Sequence, residues 1–223
     1  YAIFNGSDSV GLILGIIITK KFYEGQTQIS KIKEQQKENE LKLLRSQIDP
    51  HFLFNNLNTL DSLIDSNPTK AKEYINRLSL IYRYLIQTKD AGVMELTDEV
   101  NFAKNYIFLI KTRFGEDYEF TIEENISLSD KFIPTSALQT LLENVVKHNK
   151  SDGKTPIKST IQINQGWLII TNTKSKIIVT KDSLGTGLAN LKARYQLLSD
   201  EKVQIVNTET KFEVFIPIIG LSN

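Results

Sequence analysis

An unbroken apolar run, VGLILGIIIT from Val10 to Thr19, lies near the start of the chain and is closed by Lys20 and Lys21. Ten helical residues rise about 15 Å, half a hydrocarbon core, so the run reaches spanning length only if it extends back to Ala2 and takes in Asn5, Ser7 and Asp8. A membrane-anchor remnant over residues 1–21 is expected in preference to a buried core helix, with the lysine pair holding the downstream chain on the cytoplasmic side. No basic stretch precedes the run and no small-residue cleavage site comes after it, which argues against a signal peptide. The first residue is Tyr rather than Met, and more sequence is expected upstream. From Lys20 to Ser46 the pattern turns polar and charged, with a thin apolar stripe through Ile29, Ile32, Leu41, Leu44 and Ile48 that Gln36 and Asn39 interrupt. Residues 22–40 are therefore a helical linker, read equally as a two-helix coiled coil or as a solvated single helix.

Residues 41–92 carry the pattern of a helical hairpin. Periodicity from Leu41 to Ile64 is broken at Pro50, which lacks a donor and clashes with the preceding turn. The helix is expected to kink or restart there, with Asp49 as its cap, Pro50 in first position and His51 in the first turn. Ser66, Asn67 and Pro68 make a turn, and Thr69 to Lys89 resumes the period through Tyr74, Leu78, Ile81 and Leu85. Two such helices have too little core alone; pairing with a second copy makes a four-helix bundle.

From 93 to 223 helical and alternating patterns mix. Thr97 is expected to cap a helix with Asp98 and Glu99 in its first turn and Gly115 at its end. Tyr118, Phe120 and Ile122 alternate with polar residues as in a half-buried strand. A helix from Thr135 to about Asn149 comes next, then strands at 159–163 and 167–171, a helix from Thr186 to Leu198, and strands at 203–207 and 212–218. Residues 177–179 read either as a short strand or as a loop. The expected class is α+β: the helical hairpin, then an α/β sandwich whose antiparallel or mixed sheet is covered by helices.

Composition narrows the functional classes. With 223 residues, 40% apolar and 24% charged, the chain has room for real cores and is not disordered. A net charge of +1 gives no general attraction to nucleic acid, and the absence of cysteine excludes disulfides, thiolate nucleophiles and zinc–thiolate sites. Only two histidines are present, His51 in QIDPHFLFNNLN and His148 in LLENVVKHN. An isolated histidine more often packs or caps; as a neutral imidazole it is also a competent nucleophile near pH 7. Asn144, Lys147 and His148 stand three and four residues apart, so they share neighbouring faces of one helix. There a carboxamide oxygen suits Mg²⁺ and an ammonium suits phosphate oxygens, although such a helix alone is more often plain polar surface. In GTGLANLKARYQLL, Gly185 and Gly187 lead into a helix N-terminus, a weak signal alone for an anion-binding turn.

RSQIDPHFLFNNLNTL resembles the phosphoacceptor segment of the LytS/YesM-like sensor histidine kinases, whose usual form is QINPHFLFNTLN. The pieces RLSLIYRYLI, LTDEVNFAKNYIFLIKTRFG, IPTSALQTLLENVVKHN and GTGLANLKARYQLL come in the family's order, so the resemblance covers about Leu41 to Ile218. It implies a dimerising hairpin over 41–92 and a GHKL-type ATP-binding domain over 93–223. ATP would be bound by Asn144, Lys147, His148, Asn172, Gly185, Thr186, Gly187 and Leu188, with Mg²⁺ on Asn144. His51 would take the γ-phosphoryl group and pass it to an aspartate of a response regulator, often of the LytTR DNA-binding type. A homodimer at the plasma membrane of a bacterium, with no direct contact to nucleic acid, completes the expectation.

Some residues depart from the family's pattern. Asp49 stands where Asn is usual and serves as a helix cap or as a base beside the nucleophile. Asn149 replaces a common glycine. The first glycine box, DxGxG, is missing: NTKSK comes after the strand, with Asn172 near the position of the Asp. Lys174 and Lys176 are read as solvated loop lysines in preference to phosphate ligands. Thr140 occupies the position at which water-activating GHKL ATPases carry Glu, which favours transfer to His51 over hydrolysis. A catalytically silent dimeric scaffold with a degenerate ATP site is the alternative, resting on the missing glycine box.

Overall fold

A computed structural model describes residues 19–28, 30–31, 33–34, 50–175, 177 and 186–220. The apolar run at 10–18, Asp49, Lys176 and Gly185 lie outside them. Two compact units divide the chain, Tyr1–Leu53 and Phe54–Asn223. In the first, residues 19–28 are helical, with Thr27 bonded back to the Tyr23 carbonyl and Lys20 3.9 Å from Glu24. Among the described residues no helix is long and apolar enough to cross a membrane.

Helix α1 spans Pro50–Ser66. Asn67, whose side chain accepts from the Lys70 amide, caps α2 (Pro68–Gln87). The two helices fold back on one another: Tyr74, fully buried on α2, donates to Asn56 of α1 at 2.6 Å. Ala71, Tyr74, Leu78 and Ile81 make the buried stripe of α2, which packs on α3 (Leu96–Phe114). Arg77 reinforces that contact, donating to Asn105 and lying 4.9 Å over the Phe108 ring.

Five strands form the main sheet in the order β2-β4-β5-β7-β6, comprising β2 (Tyr118–Glu124), β4 (Ile157–Asn164), β5 (Trp167–Thr173), β6 (Gln204–Asn207) and β7 (Lys211–Pro217). The sheet is mixed, because β2 pairs parallel to β4 while the other neighbours are antiparallel. Parallel neighbours need a long crossover. Here it carries α4 (Ala137–His148) and with it the candidate phosphate-side residues. Ile161 and Ile163, Leu168 and Ile170, and Val214 and Ile216 are buried beneath α3, α4 and α5 (Thr186–Leu198), whose Leu109, Leu138, Leu142, Leu191 and Tyr195 complete the core.

Sequence periodicity misses a second, three-stranded sheet of β1 (Val93–Glu95), β3 (Lys131–Pro134) and β8 (Ile219–Gly220). Strands of two to four residues are too short to display an alternation. The Thr97 cap is not formed: α3 begins at Leu96 with Glu95 in the cap position and no side-chain cap bond. Ile177 lies in an exposed bend.

Candidate functional site

Helix α4 is positioned at both ends by side chains from elsewhere in the chain. Ser136, which precedes it, has φ +60°, a left-handed conformation that a residue with a Cβ adopts rarely, and makes no capping bond with its side chain. The orphan amides are taken instead by Glu99 of α3, whose carboxylate accepts from Ser136 N at 2.5 Å and from Leu138 N at 3.0 Å. Glu99 is fully buried and also accepts a short hydrogen bond from the Tyr84 hydroxyl of α2. Burial pushes the Glu99 carboxyl up, against the pull of Tyr84, the two amides and the nearby Arg194. The Tyr84 phenol is pushed far up by burial and by Glu99, so it remains a donor. Arg194 of α5 closes the group by donating to the carbonyls of Thr135 and Gly92 at 2.7 and 3.0 Å. Sequence patterning assigned Glu99 only to the first turn of its own helix. The missed signal was a carboxylate on the apolar face, next to Val100 and one turn before Ala103.

At the other end Asn149 is buried, with φ −131°, so the local backbone does not call for the glycine usual there. Its amide donates to the Val145 carbonyl and accepts from Ser175 N at 3.1 Å, while Ser175 Oγ donates to the Lys150 carbonyl. The chain leaving β5 is thus held to the end of α4 by Asn149 and Ser175. Lys174, half-buried, is tied through its amide to the Thr210 carbonyl.

Between these ends α4 exposes Lys147 and His148 and half-buries Asn144. The Asn144 Nδ2 is buried without a hydrogen-bond partner. A neutral amide oxygen fits Mg²⁺, which keeps its waters and is held by few protein groups alongside substrate phosphates. No group of three or more His, Cys, Asp or Glu side chains that could hold a metal occurs among the described residues, so the charge balance for such an ion would come from its phosphates. Desolvation and the adjacent Lys147 ammonium hold His148 below the ordinary histidine range, and it is neutral at pH 7. A depressed value contributes stability that is complete above about pH 6.5 and is lost as pH falls through the folded value. His148→Gln, which cannot charge, is expected to reduce the fall in urea stability between about pH 7.5 and 5.5.

Thr186, Gly187 and Leu188 form the first turn of α5, whose start lies against α4. A Cβ on Gly187 would stand 3.2 Å from Thr140 Cγ2, so one reason for glycine here is the close approach of the two helices. Thr140 itself donates back to the Ser136 carbonyl. Gly187→Ala is expected to destabilise the protein by about 1–3 kcal/mol through overpacking. In a Thr140→Ser background, which removes Cγ2, the same change is expected to be neutral or to stabilise by up to about 1 kcal/mol, because alanine is the better helix former. Thermal unfolding of the four proteins checks this.

Asn172 ends the buried face of β5 at 3% exposure, with its Nδ2 donating to the Thr173 carbonyl at 2.9 Å. His51 belongs to the other unit, exposed in the first turn of α1. Asn144, Lys147 and His148 thus share α4, the Gly187 turn abuts it, and Asn172 lies on the sheet face that the helices cover.

Residues 39–118 match the histidine kinase family model. The chain is similar to the sensor protein LytS of Enterococcus faecalis, at 31% identity over 60% of this chain and 23% of that protein. It is also similar to the sensor histidine kinase YpdA of Escherichia coli, at 35% identity over 55% of this chain and 21% of that protein. Among solved structures, the cytoplasmic segment of histidine kinase QseC matches at 16% identity with a TM-score of 0.41, over 69% of this chain and 93% of that one. The chain spans less than a quarter of the length of either curated relative. Together with the segment around His51, the family-model and sequence matches support a LytS-like sensor histidine kinase.

Proposed function

We propose that this chain is the kinase portion of a two-component sensor that transfers the γ-phosphoryl group of ATP to His51 and then to an aspartate of a response regulator, of the LytTR type. The observation that carries the ATP reading is the half-buried Asn144, whose Nδ2 has no hydrogen-bond partner, on a helix that also exposes Lys147 and His148. In this reading residues 41–92 form the dimerising phosphoacceptor hairpin and 93–223 the ATP-binding domain, with residues 1–21 anchoring the chain in a bacterial plasma membrane. Exposed Phe54, Leu57 and Ile64 on α1 and Ile75, Leu80 and Ile86 on α2 supply apolar surface for a second copy.

Asn144 would hold Mg²⁺, which supplies charge neutralisation on the phosphates when bound. Lys147 and neutral His148 meet phosphate oxygens, the turn from Gly185 through Leu188 presents backbone amides to them, and Asn172 accepts from the adenine amine. The His51 imidazole forms an N–P bond as the bond from phosphorus to the bridging oxygen of ADP breaks. The imidazole proton leaves to Asp49 or to solvent. Positioning and charge stabilisation carry such a transfer, which is why few acid–base side chains are needed. Thr140, in place of an acid, leaves no carboxylate at that position to activate water.

Incubation with γ-labelled ATP and Mg²⁺ tests this reading. The expected product is acid-labile, base-stable label that is absent in His51→Ala. No label together with no ATP binding at millimolar concentration would leave only a dimeric scaffold, and phosphate release that survives His51→Ala would point to a hydrolase.

A further inference from the structure

Ser159 sits in β4 directly across the ladder from Asn172 in β5. Both belong to the buried face of the sheet, continued by the pairs Ile161 with Ile170 and Ile163 with Leu168. The other pairs on this face are aliphatic; Ser159 with Asn172 is its one polar pair between these strands. Ser159 is 2% exposed, and its hydroxyl is buried without a hydrogen-bond partner. A buried hydroxyl with no partner is destabilising, a cost that an aliphatic residue of similar size would avoid. Asn172 spends its amide hydrogen on the Thr173 carbonyl, which orients its Oδ1 as an acceptor. Side chains directly opposite in a ladder have Cβ atoms about 5 Å apart, so a donor and an acceptor stand side by side.

We infer that Ser159 and Asn172 together read the adenine edge: the Ser159 hydroxyl donates to the ring nitrogen beside the exocyclic amine, while the amine donates to Asn172 Oδ1. This rests on the ATP reading proposed above and adds to it a residue on a different strand from the missing glycine box. The edge of adenine offers an acceptor beside a donor, and the Ser–Asn pair offers the complementary donor beside an acceptor. Guanine places a ring N–H and a carbonyl at those positions, so its carbonyl meets the Asn172 oxygen, acceptor against acceptor. Selection for adenine is thus rebuilt on the sheet without the usual Asp and its glycines.

A binding cycle on the full chain tests the contact, using Mg-ATP and the deaza analogue of ATP in which carbon replaces that ring nitrogen. Wild type is expected to bind the analogue about tenfold or more weakly than ATP. Ser159→Ala is expected to weaken ATP binding by a similar factor and to bind ATP and the analogue alike, while Ser159→Thr, which keeps the hydroxyl, preserves the preference. Because the alanine variant removes an unsatisfied hydroxyl, its melting temperature should not fall, which separates lost contact from lost fold. If wild type binds ATP but the analogue penalty is the same in Ser159→Ala, the inference is overturned and the kinase reading stands. If wild type binds neither nucleotide at millimolar concentration, both fall.

Discussion

Glu99→Ala is expected to destabilise the unit that carries α4 by about 3–5 kcal/mol, lowering its melting temperature by roughly 10 °C. The side chain is fully buried and accepts three hydrogen bonds, from Tyr84, Ser136 and Leu138. Truncation leaves two helix-start amides and a phenol without partners and opens a cavity among them. Glu99→Gln should lie between wild type and alanine, because an amide NH₂ must then face one of the backbone donors. Tyr84→Phe, which removes one donor and leaves the carboxylate two amides, should cost about 1 kcal/mol. This ordering separates a cap built from a distant carboxylate from a merely space-filling one. A Glu99→Ala protein melting within about 2 °C of wild type would show that α4 holds its start by other means. The same carboxylate joins the last turn of α2 to α4, so the loss should reach nucleotide binding as well as stability.

Asn144→Ala should have the opposite signature. Its Nδ2 is already buried without a partner, so removing the amide is expected to leave stability unchanged within about 0.5 kcal/mol or to raise it. Affinity for Mg-ATP should nevertheless fall about 30–100-fold, the cost of losing one contact to a charged group. Calorimetric titration beside thermal unfolding measures both on one sample. A destabilised protein with unchanged affinity would assign Asn144 to the core and remove the observation on which the ATP reading stands.

The elements that depend on local periodicity were legible in the chain: the turn at Asn67 and the helix from Thr186 to Leu198 fall where the pattern puts them, while the break expected just before Pro50 lies outside the described residues. His51, Asn144, Lys147 and His148 stand out as candidates because chemistry at helical spacing lies within a few residues, and the last three do share α4. Asn172, expected just after a strand, lies within β5 itself. The very short strands were not legible, since two to four residues cannot show a period, and Thr97 lost its predicted cap because the preceding strand delivers the chain into α3 at Leu96.

Spacing along the chain decided which faces are apolar, where backbone donors are missing, and which reactive groups share a helix; each comes from geometry repeating over two to four residues. Tertiary structure alone decided the partners across longer separations. The parallel pairing of β2 with β4, the seating of Glu99 under amides nearly forty positions away, the contact of Gly187 with Thr140, and the placing of Ser159 opposite Asn172 all depend on register and crossover. A period of two says which side of a strand is buried and is silent about the strand beside it, so the neighbour of Asn172 was decided only by packing.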